Sequence, residues 1–294
     1  MTKLKSLVPN LLTAGNLVGG VLAIIFSLTG HLEWAPYCIF ISAFLDFFDG
    51  FAARLLKVQS EMGKQLDSLA DMVTFGVAPG IIVYQMIKLS LWNNVEERFF
   101  EGYTASQAAK IDPAFFEQLS HSLWGASGHQ VILGESYFWL PFIALIIPIM
   151  SMFRLAKFNL DTRQSDSFIG LPTPANTLFF AVFPLLILNA IENSDFGKYL
   201  IIDLTILNPW FLVISTIIMS ILLVVELPLF ALKFKTFAWK GNEIRYIFLT
   251  LCAAMLATLM FWAIPLIIIL YILLSIIQNF RLRHPSTSSG SGEE

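Results

Sequence analysis

The sequence predicts an all-α integral membrane protein, a polytopic bundle of apolar helices. Residues of the types Ala, Val, Ile, Leu, Met, Phe, Trp, Tyr and Cys make up 56% of the 294 positions, and charged residues only 13%. Soluble domains carry about 25% charged residues, so a chain this apolar needs lipid around it. A spanning helix requires about 20 mostly apolar residues. Runs of this kind lie at 11–30, 35–56, 66–92, 137–158, 174–191, 209–232 and 246–280.

The last apolar run is too long for one comfortable crossing and contains Pro265 near its middle, where a helix kinks or breaks. Cytoplasmic flanks of membrane proteins carry an excess of Lys and Arg. A hairpin that turns at Ala263–Pro265 returns Arg281 and Arg283 to the side that holds most of the 18 basic residues. The basic residues near the other side are then Lys88, Arg98, Lys110 and Lys198. We therefore predict eight spans, with both termini in the cytoplasm.

This topology divides the chain into three parts. Residues 1–235 form the main membrane domain with an external loop at 93–136, residues 236–280 add a C-terminal transmembrane hairpin, and residues 281–294 form a disordered cytoplasmic tail. Both cysteines lie inside apolar runs, which excludes a disulfide framework or a thiolate metal site. The net charge of -3, without a long basic run, excludes nucleic-acid binding.

Four aspartates lie inside or at the cytoplasmic ends of the second and third spans: Asp46, Asp49, Asp67 and Asp71. A charged residue in mid-membrane costs about 2.5–3.5 kcal/mol, so each needs a compensating partner. Two lie about 60° apart on one helix and two form an i, i+4 pair on the next, so antiparallel packing points all four into one cleft. Carboxylate oxygens suit Mg²⁺ or Mn²⁺, and two such ions can hold the attacking and leaving oxygens of a phosphoryl displacement.

An ion-coupled membrane transporter is the main alternative from another functional class, because buried acids also mark transport paths. A transporter is expected to spread its acids over several spans near mid-bilayer. Here the four aspartates cluster on two neighbouring helices, and the only other acid deep in a span is Glu226. This clustering favours a catalytic site over an ion-transport path.

The segment DGFAARLLKVQSEMGKQLDSLAD at 49–71 matches the pattern D-G-x2-A-R-x8-G-x3-D-x3-D at every fixed position. In this segment the chain resembles the CDP-alcohol phosphotransferase family, with a further family aspartate at Asp46. The resemblance implies a six-helix core that transfers a substituted phosphate from a CDP-linked donor to an alcohol, with release of CMP. It also implies a homodimer in a bacterial cytoplasmic membrane, with the active site facing the cytoplasm.

The resemblance further implies roles for individual residues. Asp46, Asp49 and Asp67 match the family's metal ligands, and Asp71 matches the base that takes the acceptor proton and also touches metal. Positions matching the CDP site are Asp49, Gly50, Ala53, Arg54, Gly63 and Asp67. The implied cofactor is a pair of divalent ions, Mg²⁺ or Mn²⁺. Helix packing is the simpler alternative for the small residues, and a positive-inside anchor for Arg54.

Flanking segments resemble the branch of the family that uses L-serine as acceptor: PNLLTAGN at 9–16, SLADMVTFGVAP at 68–79, RLAKFN at 154–159 and GLPTP at 170–174. The implied reaction moves the phosphatidyl group of CDP-diacylglycerol, a membrane lipid, to the serine hydroxyl. Arg154 and Asn159 match polar positions near the acceptor, and a cytoplasmic anchor is their alternative role. Glycerol 3-phosphate and inositol phosphate stay open as acceptors.

Overall fold

The computed structural model describes residues 2–100, 139–160, 168–192, 201–230, 239 and 242–283. Within these ranges the chain is almost entirely helical, as predicted. The helices are α1 (Thr2–Leu28), α2 (Ala35–Leu55), α3 (Glu61–Asp71), α4 (Ala78–Phe100), α5 (Ile146–Leu160), α6 (Thr173–Ala181), α7 (Phe183–Glu192), α8 (Pro209–Val224), α9 (Glu243–Leu259) and α10 (Ala263–Arg283). A π-helical segment, Met72–Val77, joins α3 to α4, and 3₁₀ turns at Leu140–Leu145 and Met260–Trp262 precede α5 and α10.

Five helical segments of the described chain are long and apolar enough to cross a membrane, which confirms a polytopic membrane helix bundle. They are Lys5–Leu28, Glu61–Leu91, Leu140–Leu160, Thr173–Ala190 and Glu243–Asn279. Helix α8 is a shorter apolar helix. Large apolar side chains such as Phe44 and Phe47 of α2 point outward and are exposed, as expected for helices that face lipid.

Two glycines of α1 allow it to pack closely against the elements that surround the aspartates. Gly19 faces Ser42 of α2, and an added Cβ would have no room there. Gly20 faces the π segment, where an added Cβ would lie 2.8 Å from the Thr74 Cα. Small residues let membrane helices approach one another in this way. Helix α1 therefore contacts both α2 and the segment that directly follows Asp71.

Helix α3 begins at Glu61, five residues before the predicted apolar run at 66–92. Ser60 is its N-cap, because the Ser60 Oγ accepts a hydrogen bond from the Gly63 N–H at 3.0 Å. The π segment after α3 is a widened turn of the kind often found at functional sites. Thr177 of α6 donates a hydrogen bond to the Phe75 carbonyl in this turn at 2.8 Å. The predicted run 66–92 is thus part of a continuous helical stretch from 61 to 100.

The predicted external loop begins later than expected, because α4 continues to Phe100. Residues 101–136 lie outside the described residues. The run 174–191 divides at Val182 into α6 and α7, since Pro184 in the first turn of α7 cannot donate a backbone hydrogen bond to a continuing helix.

The run 209–232 is helical only to Val224, and the chain then forms a strand of two residues. Strand β2 (Pro228–Leu229) pairs antiparallel with β1 (Phe168–Ile169). Gly170 makes this pairing possible, because its φ of 79° turns the chain and its N–H donates to the Leu227 carbonyl at 2.9 Å.

The final apolar run turns back on itself, but earlier than predicted. Helix α9 ends at Leu259 and the turn lies at Met260–Trp262, not at Ala263–Pro265. Met260 has a φ of 50°, which breaks the helix without a glycine. Pro265 falls instead in the first turn of α10, where a missing N–H costs no helical hydrogen bond.

Helices α9 and α10 pack side by side: the ring centroids of Phe248 and Tyr271 lie 5.7 Å apart, although Phe248 is twelve residues before the turn and Tyr271 nine residues after it. Helix α10 is also attached to β2 and the residue after it. The Tyr271 hydroxyl donates to the Phe230 carbonyl at 3.0 Å, and the Asn279 side-chain amide donates to the Pro228 carbonyl. Residues 281–283 belong to α10 and not to the predicted tail, and residues 284–294 lie outside the described residues.

Candidate active site

The four predicted aspartates meet where the C-terminal half of α2 faces α3. One carboxylate oxygen from each of Asp46, Asp49 and Asp67 lies within 4.8 Å of the others. The Asp71 carboxyl group lies within hydrogen-bonding distance of that of Asp46. Asp49 is buried and the other three are partly buried. The predicted convergence of the four carboxyl groups is therefore present in the structure.

The charge of this cluster has no cationic partner on the described part of the chain. No Lys, Arg or His there forms an ion pair with any of the four aspartates; the ion pairs that are formed include Lys157 with Glu226 and His31 with Glu33. Neighbouring carboxylates repel one another when no cation lies between them. Oxygen ligands in this arrangement suit a hard divalent ion such as Mg²⁺ or Mn²⁺, so the cluster fits a metal.

A cavity of about 500 Å³ opens beside the aspartates, between α1, α2 and α3. The residues predicted to line a CDP site all border it: Asp49, Gly50, Ala53, Arg54, Gly63 and Asp67. A Cβ at Gly50 would meet no atom closer than the Arg54 Nη2 at 3.6 Å, so the protein leaves this side open. The Arg54 Nε donates to the Gly50 carbonyl at 2.9 Å, which holds the guanidinium at the cavity wall.

Two polar residues of α1 also contact the aspartates, and sequence reasoning missed both. The Thr13 Oγ1 donates to the Asp49 Oδ2 at 2.5 Å. The Asn16 Nδ2 lies 3.1 Å from the Asp71 Oδ1 and 3.5 Å from the Asp46 Oδ1. A signal was available in the segment PNLLTAGN at 9–16, where two polar residues three positions apart interrupt the start of an apolar run.

The two predicted acceptor residues lie on α5 in different surroundings. Arg154 is 5% exposed; its Nε donates to the Leu171 carbonyl at 3.2 Å, and its guanidinium lies 5.4 Å from the centre of the Phe158 ring. None of the hydrogen bonds described here joins Arg154 to the four aspartates. The Asn159 Nδ2 donates to the Ser68 Oγ at 2.8 Å. Asn159 therefore adjoins the aspartate-bearing helix α3, whereas Arg154 contacts the chain just before α6.

Glu226 does not lie deep in a span, so that expectation was wrong. It follows the end of α8, is exposed, and forms an ion pair with Lys157 at 2.8 Å. The reason is the early end of α8 at Val224, which leaves the acid in the non-helical chain before β2. Glu226 therefore lies outside α8 and offers no isolated acid within a span for a transport path.

Similarity to known proteins agrees with this geometry. The family model described as CDP-alcohol phosphatidyltransferase matches residues 6–95, which include the whole 49–71 motif. A CDP-diacylglycerol–serine O-phosphatidyltransferase of Bacillus subtilis is 33% identical over 190 residues, which cover 63% of this chain and 77% of that protein. The chain belongs to the CDP-alcohol phosphatidyltransferase family.

Two further relatives show how the similarity extends. A CDP-diacylglycerol–serine O-phosphatidyltransferase of Helicobacter pylori is 31% identical over 182 residues, 61% of this chain and 58% of that protein. An archaetidylserine synthase of Methanothermobacter thermautotrophicus is 25% identical over 180 residues, 60% of this chain and 57% of that protein. Family membership confirms the predicted transferase of phospholipid biosynthesis and implies CDP-diacylglycerol and an alcohol acceptor as substrates.

Proposed function

We propose that this phosphatidyltransferase moves the phosphatidyl group of CDP-diacylglycerol to the hydroxyl of L-serine, forming phosphatidylserine and CMP. The observation that carries the proposal is the meeting of the motif's carboxylates, its glycines and Arg54 around one cavity. The cavity opens between helices, so a donor can place its nucleotide there while its acyl chains remain in lipid. In this proposal Gly50, Ala53 and Gly63 leave room for the nucleotide, and Arg54 faces its phosphates.

Asp46, Asp49 and Asp67 are the proposed ligands of two divalent ions, Mg²⁺ or Mn²⁺, with Asp71 as a further contact. Such ions, when bound, neutralise charge on the donor diphosphate. Thr13 supports this set, because its hydroxyl holds the Asp49 Oδ2 and so limits the rotation of that carboxylate.

Asp71 is the proposed general base. The serine hydroxyl oxygen attacks the phosphorus bonded to diacylglycerol, its proton passes to the Asp71 carboxylate, and CMP leaves. Asp71 suits this role because it lies beside the three clustered carboxylates without belonging to the closest group of oxygens. The reaction requires no covalent intermediate on the protein.

Serine is proposed as the acceptor on two grounds. The relatives at 31% and 33% identity are named for serine as their acceptor. A phosphorylated acceptor also needs several additional cationic contacts, whereas a zwitterionic amino acid needs few. Arg154 and Asn159 are the proposed contacts of the acceptor, and Asn159 reaches α3 beside Asp67 through Ser68.

We further propose eight membrane crossings with the active site at the cytoplasmic face of a bacterial membrane. The crossings are α1, α2, α3 with α4, α5, α6 with α7, α8, α9 and α10. Helix α9 has 17 residues and α10 has 21, which suits spans of about 17–25 residues. Residues 1–235 would hold the six-helix core and residues 236–280 the added hairpin. The proposed assembly is a homodimer, which light scattering of the detergent-solubilised protein tests.

The proposal is tested with purified protein, CDP-diacylglycerol and Mn²⁺, by measuring CMP release as each acceptor is added in turn. L-serine should stimulate CMP release and yield phosphatidylserine, and a chelator should abolish both. CMP release driven by glycerol 3-phosphate or inositol phosphate, and not by serine, would refute serine as the acceptor. Replacing the donor with a CDP-linked archaeal ether lipid tests the lipid half of the donor separately.

A further inference from the structure

Asn16 of α1 is held between α2, which carries Asp46 and Asp49, and the π segment that directly follows Asp71. It is fully buried, with 0% of its surface exposed. Its backbone carbonyl accepts one hydrogen bond from the Ser42 Oγ of α2 at 3.2 Å and another from the Thr74 Oγ1 of the π segment at 3.0 Å. Both hydroxyls contact only the backbone of Asn16, so either one alone still attaches α1 at this residue.

The Asn16 amide nitrogen has two protons and faces two carboxylates, Asp71 at 3.1 Å and Asp46 at 3.5 Å. Among the described residues, it is the neutral side chain that donates to Asp71. Asp46, the other group in contact with Asp71, is a carboxyl group and repels it when both are ionised. An amide donor between them is therefore well suited to hold Asp71 in one orientation.

The oxygen of the Asn16 side-chain amide indicates that packing alone does not account for this residue. The Asn16 Oδ1 is buried and has no hydrogen-bond partner. A buried acceptor without a partner lowers stability, and an apolar side chain of the same shape would avoid that loss. The hydrogen bonding of the Asn16 Nδ2 to the carboxylates is therefore the role that favours an amide at this position.

We propose that Asn16 is a positioning residue, which holds the Asp71 Oδ1 and so leaves the Asp71 Oδ2 directed towards the acceptor hydroxyl. The inference rests on the proposed function, in which Asp71 is the base. Groups that orient a reacting side chain typically change rates by about 10–100-fold when removed. Asn16 acts through Asp71 and does not itself touch the substrate.

The test compares Asn16→Leu, which has a similar shape without a donor, with wild type and with Ser42→Ala. Ser42→Ala is the matched control, because it removes a hydrogen bond to the Asn16 backbone and leaves the side-chain amide in place. Asn16→Leu should lower kcat for CMP release by about 10–100-fold and change the KM values of donor and serine by less than about twofold. Its affinity for Mn²⁺, measured by electron paramagnetic resonance, should fall by less than its kcat, because the Asn16 amide lies closer to Asp71, at 3.1 Å, than to the proposed metal ligand Asp46, at 3.5 Å.

Asn16→Ala removes the donor without adding a charge, so it should be impaired as strongly and carries the test if the leucine variant melts early. Ser42→Ala should keep wild-type kcat. An Asn16→Leu protein with wild-type kcat, or a loss of kcat equalled by Ser42→Ala, would overturn the inference. A wild-type protein that releases no CMP with any acceptor would instead overturn the proposed function, and this inference with it.

Discussion

At the scale of single residues, Asp67 and Asp71 stand one helical turn apart on α3 and face the carboxylates of α2. Asp67→Asn and Asp71→Asn should each lower CMP release by more than about 100-fold, since one loses the proposed metal ligand and the other the proposed base. Both should retain helical circular dichroism and an unchanged or higher melting temperature, because each removes a charge from a repelling cluster. Glu33→Gln, at a partly exposed acid in the connection before α2 that pairs with His31, is the control and should behave as wild type. Near wild-type release by either aspartate variant at saturating metal would show that its assigned role is wrong.

Arg154 and Lys157 are two basic residues of α5 with contrasting surroundings. Arg154 is buried, whereas Lys157 forms an exposed ion pair with Glu226, of a kind that contributes little. Arg154→Ala should raise the KM for serine more than the KM for CDP-diacylglycerol, because the proposed carboxylate contact is lost. Lys157→Ala should change neither by more than about twofold. Equal effects of Arg154→Ala on both KM values would contradict its assignment to the acceptor.

The site residues differ in how far the sequence could predict them. The spacing of Asp46, Asp49, Asp67 and Asp71 depends only on helical periodicity and on one tight connection, both of which are local. Thr13 and Asn16 contact carboxylates that lie 36 and 55 residues further along the chain. Both contacts depend on how closely α1 packs against the helices that carry the aspartates, and no local sequence pattern determines that packing.

At the scale of helices and their packing, substitutions at Gly20 and Gly50 should have different effects, one on stability and the other on donor binding. A Cβ at Gly20 would lie 2.8 Å from the Thr74 Cα, whereas one at Gly50 would make an ordinary contact, 3.6 Å from the Arg54 Nη2, at the cavity. Gly20→Ala should lower the free energy of unfolding by about 1–3 kcal/mol through overpacking. Gly50→Ala should keep its melting temperature and raise the KM for CDP-diacylglycerol. Thermal melting and donor titration measure the two effects, and a Gly50→Ala variant with unchanged KM would remove Gly50 from the donor site.

The C-terminal hairpin can be tested by placing single cysteines at its turn and its end. In a background without Cys38 and Cys252, Met260→Cys should react with a membrane-impermeant thiol reagent in intact cells. Arg283→Cys should react only after the membrane is opened, because the hairpin returns it to the cytoplasm. The cysteine-free protein controls for background labelling. Equal labelling of both positions in intact cells would refute two crossings.

The limits of the helices were less predictable than their existence. Pro265 indicated a turn, but the turn lies at Met260–Trp262, where a methionine adopts a positive φ that its residue type does not signal. The early end of α8 likewise depends on the β1–β2 pairing and on Gly170, which lies more than fifty residues before it. Tertiary contacts decided both limits.

At the scale of the whole molecule, the apolar outer surface and the placement of charge define one polar end of the bundle. The aspartates, Arg54 and Lys64 lie around the α2–α3 connection, and the cavity opens there between helices that face lipid. In the proposed orientation, a lipid donor with a charged headgroup reaches the carboxylates from the membrane, while a water-soluble acceptor arrives from the cytoplasm.

The most direct test of the account is to locate Mn²⁺ by anomalous diffraction in crystals grown with CDP, using a preparation that releases CMP. The account predicts an anomalous peak bounded by Asp46, Asp49 and Asp67, with the nucleotide in the cavity that Gly50 and Gly63 line. A Mn²⁺ peak elsewhere in the molecule, with none among these aspartates at saturating metal, would contradict it.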